Sequence, residues 1–327
     1  MTFNKNKRTH LKPALIMIAA LQLCLIACEK KERAEEDHYE PRPVSPTSSK
    51  FISKIYEYMP APGQFINSGL GELKAAEALV GKAREGLVSL GGFGGYLIFG
   101  FDHSIANKEG ADIGIYGNPL TGEGMEWSEP GIVMVMQDLN GNGLPDDGEW
   151  FELAGSEYNK AETIKNYTIT YYNPKNKTDD IKWKDNQGKE GYVLRNAFHS
   201  NAYYPEWIKD QDQLSFTGTL LRNTLAAGNI ITNQPLEWGY TDNGSADYKG
   251  LMENTGAGYN SFDISWAVNA QGKTVQLTHI DFVKIYTGQN SNGNPFEPDR
   301  NNPRARFLGE VSTEVGGAID ISLHLKK

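Results

Sequence analysis

The chain has 327 residues, and its 32 Lys and Arg against 41 Asp and Glu give a formal net charge of −9 at pH 7. An acidic surface of this size repels the phosphate backbone, which excludes nucleic acid as a partner. The only two cysteines, Cys24 and Cys28, lie near the start, which excludes disulfides, cysteine nucleophiles and Cys-ligated zinc from the rest of the chain.

The first 27 residues have the layout of a secretory signal. Four basic residues and no acidic one occupy positions 1–12, and an apolar run interrupted only by Gln22 extends from Ala14 to Ala27. This run is shorter than the roughly 20 helical residues that a bilayer span needs. It ends in Leu25-Ile26-Ala27-Cys28, which resembles the lipobox of bacterial lipoproteins, so we expect Cys28 to be acylated. A plain signal peptide with an incidental cysteine is the alternative.

Residues 28–50 are predicted to be a disordered tether. Residues 29–37 are almost all charged, and the prolines and hydroxyl residues that follow, at 41–49, pack poorly. The charged stretch resembles the acidic tethers that accompany surface export of lipoproteins in Bacteroidetes. A solvated spacer without a sorting role is the alternative. The folded domain is therefore expected over residues 51–327.

The folded part is predicted to be all-β, a single sandwich-like or jelly-roll-like domain with one or two short helices. Short runs rich in aromatic and β-branched residues, bounded by Gly, Asn, Pro or Asp, predict strands at 95–101, 131–136, 167–172 and 280–286. One helix is expected at about 71–85, where Leu73, Ala76, Leu79 and Val80 recur at helical spacing. The glycine-rich segment 91–95 is interpreted as a tight turn with close backbone packing.

One segment carries a metal-binding pattern. Residues 138–149 fit the twelve-position calcium loop of EF-hands, with its sharp-turn glycine at Gly143. The expected ligands are Asp138, Asn140, Asn142, the carbonyl of Leu144, Asp146 and Glu149. Strand-like residues on both sides indicate a structural calcium ion that stabilises a turn between strands. The alternative is a solvated turn rich in Asp and Asn.

No catalytic constellation is recognisable, so we do not expect an enzyme. The segment 196–207 is dense in hydrogen-bonding and aromatic groups, and exposed tryptophans offer surfaces on which sugars or planar ligands stack. The candidate ligand-binding residues are His199, Tyr203, Tyr204, Trp207, Trp183 and Trp238. Packing in the core or in a loop is the alternative for each of them.

Several blocks of the sequence resemble the Bacteroidetes "cell surface protein" lipoproteins, some of which carry a PKD-like domain. The blocks are YEYMPAPGQFIN (56–67), SLGGFGG (89–95), SEPGIV (128–133), the calcium-like loop, FVKIYTG (282–288) and GEVSTEV (309–315). Genes of this group often accompany TonB-dependent cobalamin transporters and other surface lipoproteins. The resemblance therefore implies capture of cobalamin or a related corrinoid at the cell surface, although this chain has no obvious PKD-like repeat.

These features combine into one leading hypothesis. We expect an outer-membrane lipoprotein that faces the cell exterior, is stiffened by calcium, and binds a small ligand, cobalamin or another corrinoid, beside a TonB-dependent importer. A calcium-stabilised protein that binds or degrades glycans is the second hypothesis. A structural or adhesive surface protein is the third.

Overall fold

The structure, a computed structural model, describes residues 39–256, 258–294 and 299–325. Strands make up 32% of it and helices 10%, in several antiparallel sheets with few short helices, which confirms the all-β class. The signal segment and Cys28 lie outside the described residues. From Tyr39 onward the chain forms one compact unit.

The strands of the described residues are β1 (Lys54–Met59), β2 (Val88–Ser89), β3 (Tyr96–Ala106), β4 (Ile113–Tyr116), β5 (Gly131–Met136), β6 (Phe151–Leu153), β7 (Ile164–Tyr172), β8 (Ile181–Asp185), β9 (Glu190–Val193), β10 (Gln213–Leu220), β11 (Leu225–Ala226), β12 (Thr232–Asn233), β13 (Asn260–Phe262), β14 (Ala267–Val268), β15 (His279–Thr287), β16 (Glu314–Val315) and β17 (Gly317–Asp320). The α-helices are α1 (Leu73–Glu77), α2 (Ala246–Thr255) and α3 (Ile321–His324), and 3-10 turns span Glu206–Ile208, Ile264–Trp266 and Pro303–Arg306. All four predicted strands are confirmed as β3, β5, β7 and β15, and only Gly95 of the predicted segments lies outside its strand.

The central sheet has six strands in the order β1-β3-β15-β5-β6-β14 and is antiparallel throughout. Its register places Leu97, Ile285 and Val133 side by side. They face a core shared with β4, β13 and β17. On the opposite face, Ile132 and Tyr286 pack against the second sheet, β10-β7-β8-β9. The middle strands are therefore apolar on both faces, which explains why they read as continuous hydrophobic runs.

The prediction of a helix at 71–85 is mostly wrong, because only Leu73–Glu77 is helical. Leu73 and Val80 are exposed, while Ala76 and Leu79 are buried. The backbone turns left-handed at Gly81, which donates its N–H to the carbonyl of Ile52 on the neighbouring chain segment. A tertiary hydrogen bond thus replaces the next helical turn. No helix in the described part of the chain is long and apolar enough to cross a bilayer.

The compact unit begins before the expected boundary at Phe51. The guanidinium of Arg42 donates to the carbonyl oxygen of Phe101 at 2.9 Å and forms an ion pair with Asp281 at 3.2 Å. The backbone N–H of Arg42 also donates to the Ser104 hydroxyl. Residues 39–50, assigned to the tether from composition alone, therefore belong to the compact unit.

A fully buried histidine joins β3 to the C-terminal helix. His103 contacts Asp102 through Nδ1 at 2.7 Å and Asp320 through Nε2 at 2.9 Å. Burial opposes protonation of His103, but its two carboxylate partners outweigh burial and raise its pKa. Asp320 also caps α3 by accepting the N–H of Ser322, and these contacts lower the pKa of Asp320 against the opposing effect of burial.

We expect His103→Gln to destabilise the protein by about 3 kcal/mol at pH 6, because it leaves the buried Asp320 without its charged partner. The raised pKa means that the stability due to protonated His103 is complete below its unfolded pKa of about 6.5 and is lost as pH rises through the folded pKa. The difference between wild type and variant should therefore shrink between pH 6 and pH 9 in urea unfolding curves. An equal difference at both values would contradict this prediction.

Candidate functional site

The predicted calcium loop is the connection of a hairpin. Residues 138–149 join β5 to β6, which are antiparallel neighbours in the central sheet, so the expected position between strands is confirmed. The loop is attached to the middle of that sheet, because the N–H of Asp138 donates to Asp281 of β15 at 2.9 Å. One end of the loop is therefore fixed by a rigid element.

Three of the predicted ligand side chains lie together. Asp146 Oδ1 accepts hydrogen bonds from the amides of Asn140 at 3.1 Å and Asn142 at 3.0 Å. Asp138 Oδ2 accepts the N–H of Gly143 at 2.9 Å, in the middle of the same loop. Gly143 has a φ of +72°, which only glycine adopts at little cost. The loop is thus wound tightly around oxygen-bearing side chains.

The other predicted ligands are placed differently. Glu149 is exposed, and its carboxylate does not form a group within 4.8 Å with those of Asp138 and Asp146 among the described residues. The carbonyl of Leu144 accepts the N–H of Asp146. Asp147, which the sequence analysis did not single out, closes the loop by accepting the N–H of Leu139 at 2.8 Å.

One atom of the loop indicates a missing partner. Asp138 is 6% exposed, and its Oδ1 is fully enclosed with no hydrogen-bond partner in the described part of the chain. A buried carboxylate oxygen without a partner costs free energy. The amide oxygens of Asn140 and Asn142, by contrast, accept the backbone N–H groups of Asn142 and Leu144. Because Ca²⁺ prefers carboxylate and carbonyl oxygens, Asp138 is the residue of the loop that best fits as a calcium ligand in this structure.

A cleft of about 670 Å³ lies next to this loop, between the central sheet and the sheet of β7 and β10. Trp150, the residue after the loop, forms part of its wall with Tyr158. Its rim carries the amides of Asn159, Asn166, Asn269 and Gln271. This size and this mixture of aromatic and polar groups are typical of sites for small molecules.

An ion pair between a partly buried glutamate and an exposed lysine lines the cleft. Glu152 of β6 lies 3.6 Å from Lys165 of β7 and accepts a hydrogen bond from the Thr219 hydroxyl at 2.6 Å. Burial raises the pKa of Glu152 and lowers that of Lys165, although each charge partly offsets the effect on the other. The Lys165 ammonium also lies 3.0 Å from the ring centroid of Tyr158. Perturbed charges in a cleft often mark a functional site.

The structure does not gather the predicted ligand-binding aromatics into one site. Tyr203 and Tyr204 are buried in the second core, the apolar cluster between the central sheet and the sheet β10-β7-β8-β9, and they line a smaller cavity of about 350 Å³. His199 packs against Phe65 at 4.9 Å between ring centroids. The tryptophans are scattered: Trp183 packs on the second core, Trp207 lies near Tyr58, and Trp238 packs against Trp266.

The residues of the larger cleft were missed in the sequence analysis. Glu152, Tyr158, Lys165 and Thr219 come from separate segments, and only their fold brings them together. The one available signal was Trp150, a tryptophan that directly follows the calcium-like loop.

Compared with known proteins, the chain matches no family model and no curated sequence.

Proposed function

We propose that this protein is a lipid-anchored, non-catalytic binding protein of the outer membrane that captures a small ligand in the cleft beside Trp150. The single observation that carries the proposal is this cleft of about 670 Å³, with Trp150 and Tyr158 in its wall and amides on its rim. The lipobox-like Leu25–Cys28 segment supports the anchor.

The ligand of this proposal is cobalamin or a related corrinoid, delivered to a TonB-dependent importer. A corrinoid presents a flat macrocycle fringed by amide groups. The aromatic wall would pack against the macrocycle, and the amides of Asn166, Asn269 and Gln271 would pair with the fringe. The choice of corrinoid among planar ligands rests on the resemblance to the cell surface lipoproteins.

Calcium has a supporting role in this proposal. The ion would hold the loop 138–149 and thereby fix Trp150 and β6, from which Glu152 enters the cleft. Ordering part of the wall before the ligand arrives reduces the entropy lost on binding. Ligand affinity should therefore depend on calcium although the ion does not touch the ligand.

The test is calorimetric titration of soluble residues 29–327 with cyanocobalamin, in calcium and after chelation. We expect micromolar or tighter binding in calcium and weaker binding after chelation. Trp150→Ala should lower the affinity at least about tenfold, because a central aromatic contact is lost. Trp207→Ala is the matched control, because Trp207 is 46% exposed and lies outside the cleft.

Two results would count against the proposal. Absence of heat with folded protein would rule out cobalamin, and a screen of glycans would follow, because Trp150 and Tyr158 also suit the faces of sugars. Equal loss of affinity in Trp150→Ala and Trp207→Ala would remove the cleft as the binding site.

A further inference from the structure

A second group of oxygen ligands lies away from the cleft and the hairpin loop. Glu129 precedes β5, Asp242 follows the segment that pairs with the start of β5, and Glu314 belongs to β16. One carboxylate oxygen from each lies within 4.8 Å of the other two. We call Glu129, Asp242 and Glu314 the acidic triad.

The triad is enclosed by protein. Asp242 is 0% exposed, Glu314 is 3% exposed and Glu129 is partly buried. None of the ion pairs in the described ranges involves these three residues. Burial, reinforced at Asp242 and Glu314 by the neighbouring carboxylates, raises the pKa of all three. In the described residues the three carboxyl groups therefore meet without a cation from the protein, and burial disfavours their charged forms unless a cation joins them.

Backbone groups hold the triad in place. The N–H of Glu314 donates to Asp242 Oδ2 at 2.9 Å, and the N–H of Asn118 donates to Asp242 Oδ1 at 2.8 Å. Glu129 Oε1 accepts the N–H of Ser312 at 2.9 Å. These hydrogen bonds fix the direction of the carboxylates, so the arrangement does not depend on flexible side chains.

The decisive observation is a buried oxygen without a partner. Glu314 Oε1 is fully enclosed and has no hydrogen-bond partner in the described part of the chain. The hydroxyl of Thr241, the residue before Asp242, is also buried without a partner. Such atoms are rare in folded proteins because each one costs free energy. A positively charged partner at the triad would satisfy Glu314 and neutralise the group.

We infer that the acidic triad binds a divalent cation, calcium by ligand type, that joins three segments distant in sequence. Calcium takes roughly six to eight oxygen ligands in flexible geometry, and three carboxylate oxygens within 4.8 Å of one another can contact one such ion. Magnesium demands near-ideal octahedral geometry, which three side chains from separate segments meet less readily. This site is separate from the hairpin loop and does not depend on the proposed ligand.

The test counts calcium bound to the full-length protein in detergent after desalting from calcium buffer. We expect two equivalents in the wild type and one in the double variant Asp138→Asn, Asp146→Asn, which disables only the loop. Adding Glu314→Gln should remove the last equivalent. Adding Glu310→Gln instead is the matched control, because Glu310 is 1% exposed with an unpartnered Oε2 but lies outside the triad.

The possible outcomes separate the two calcium sites. Loss of all calcium from the loop variant would overturn the triad site. The wild type could bind a single equivalent of calcium. If Glu314→Gln removes that equivalent and the loop variant keeps it, the triad binds calcium and the hairpin loop does not. If the Glu314→Gln protein does not fold, the melting temperature of the loop variant tests the triad site instead. This melting temperature should rise by several degrees with calcium and less with magnesium, and no rise with calcium would overturn the inference.

Discussion

Gly91→Ala is expected to destabilise the protein by about 4 kcal/mol or more, or to prevent folding, because it combines backbone strain with a clash. Gly91 has a φ of +72°, and an added Cβ would lie 2.0 Å from the carbonyl oxygen of Ala61. Neither backbone can move freely, because Gly91 bonds Ser312 through its N–H and Thr287 through its carbonyl, and the N–H of Ala61 donates to the carbonyl of Leu90. Urea unfolding followed by tryptophan fluorescence measures the loss.

Gly250→Ala is the control for this prediction. Gly250 lies within α2 with open space around it and no left-handed backbone. Alanine is favoured over glycine in a helix by about 1 kcal/mol, so this variant should be neutral or slightly more stable. A Gly91→Ala protein that unfolds at the same urea concentration as Gly250→Ala would disprove the close packing at 91–95.

Asp138→Asn is expected to remove calcium binding at the hairpin loop. An ion present at about 100 times its dissociation constant stabilises the folded state by about 2.7 kcal/mol. For a protein of this size that corresponds to about 4 °C in melting temperature, which the variant should lose. Terbium bound in place of calcium provides a local signal, because its emission is sensitised by the adjacent Trp150.

Asp147→Asn is the matched control in the same loop. Asp147 accepts the N–H of Leu139 but does not occupy a predicted ligand position. The variant should lose less than about 1 kcal/mol, because the amide oxygen of asparagine still accepts this N–H, and it should keep its calcium-dependent rise in melting temperature. Terbium emission that persists in Asp138→Asn would show that the loop does not bind the ion through this residue.

The strands were predictable because their signal is local. The central strands carry apolar and β-branched residues on both faces, as β5 does from Gly131 to Met136. The turn formed by the hairpin loop was equally predictable from the sequence, because its residues are consecutive and its glycines mark left-handed backbone at Gly141 and Gly143. The tight turn at 91–95 was likewise predictable, because glycine permits a close backbone approach.

The helix predictions that failed concern segments whose structure depends on tertiary contacts. The helix expected to Glu85 stops at Glu77, because Gly81 bonds Ile52 instead of continuing the helical pattern. Helix α2 was missed because only Tyr248 is buried along it, so its apolar periodicity is weak. Its clearest signal is the left-handed Gly256 at its end.

Neither the cleft nor the acidic triad has a local sequence signal. Glu129 and Glu314 both lie in sequence blocks that carry the family resemblance. These blocks are far apart along the chain: the Thr313 hydroxyl donates to the carbonyl of Glu129, which lies 184 positions earlier in the sequence. Asp242 comes from a third segment, in a sequence that reads as an ordinary turn. Spacing along the chain identifies consecutive ligands, whereas convergent ligands require the fold.

The carboxylate of Asp281 links the start of the compact unit to the hairpin loop. It forms an ion pair with Arg42 and accepts the N–H of Asp138. If the chain is anchored through its first residues as proposed, we expect a pulling force to pass through Arg42 into β15 and from there to the hairpin loop. Asp281 would then connect tension at the anchor with the wall of the cleft.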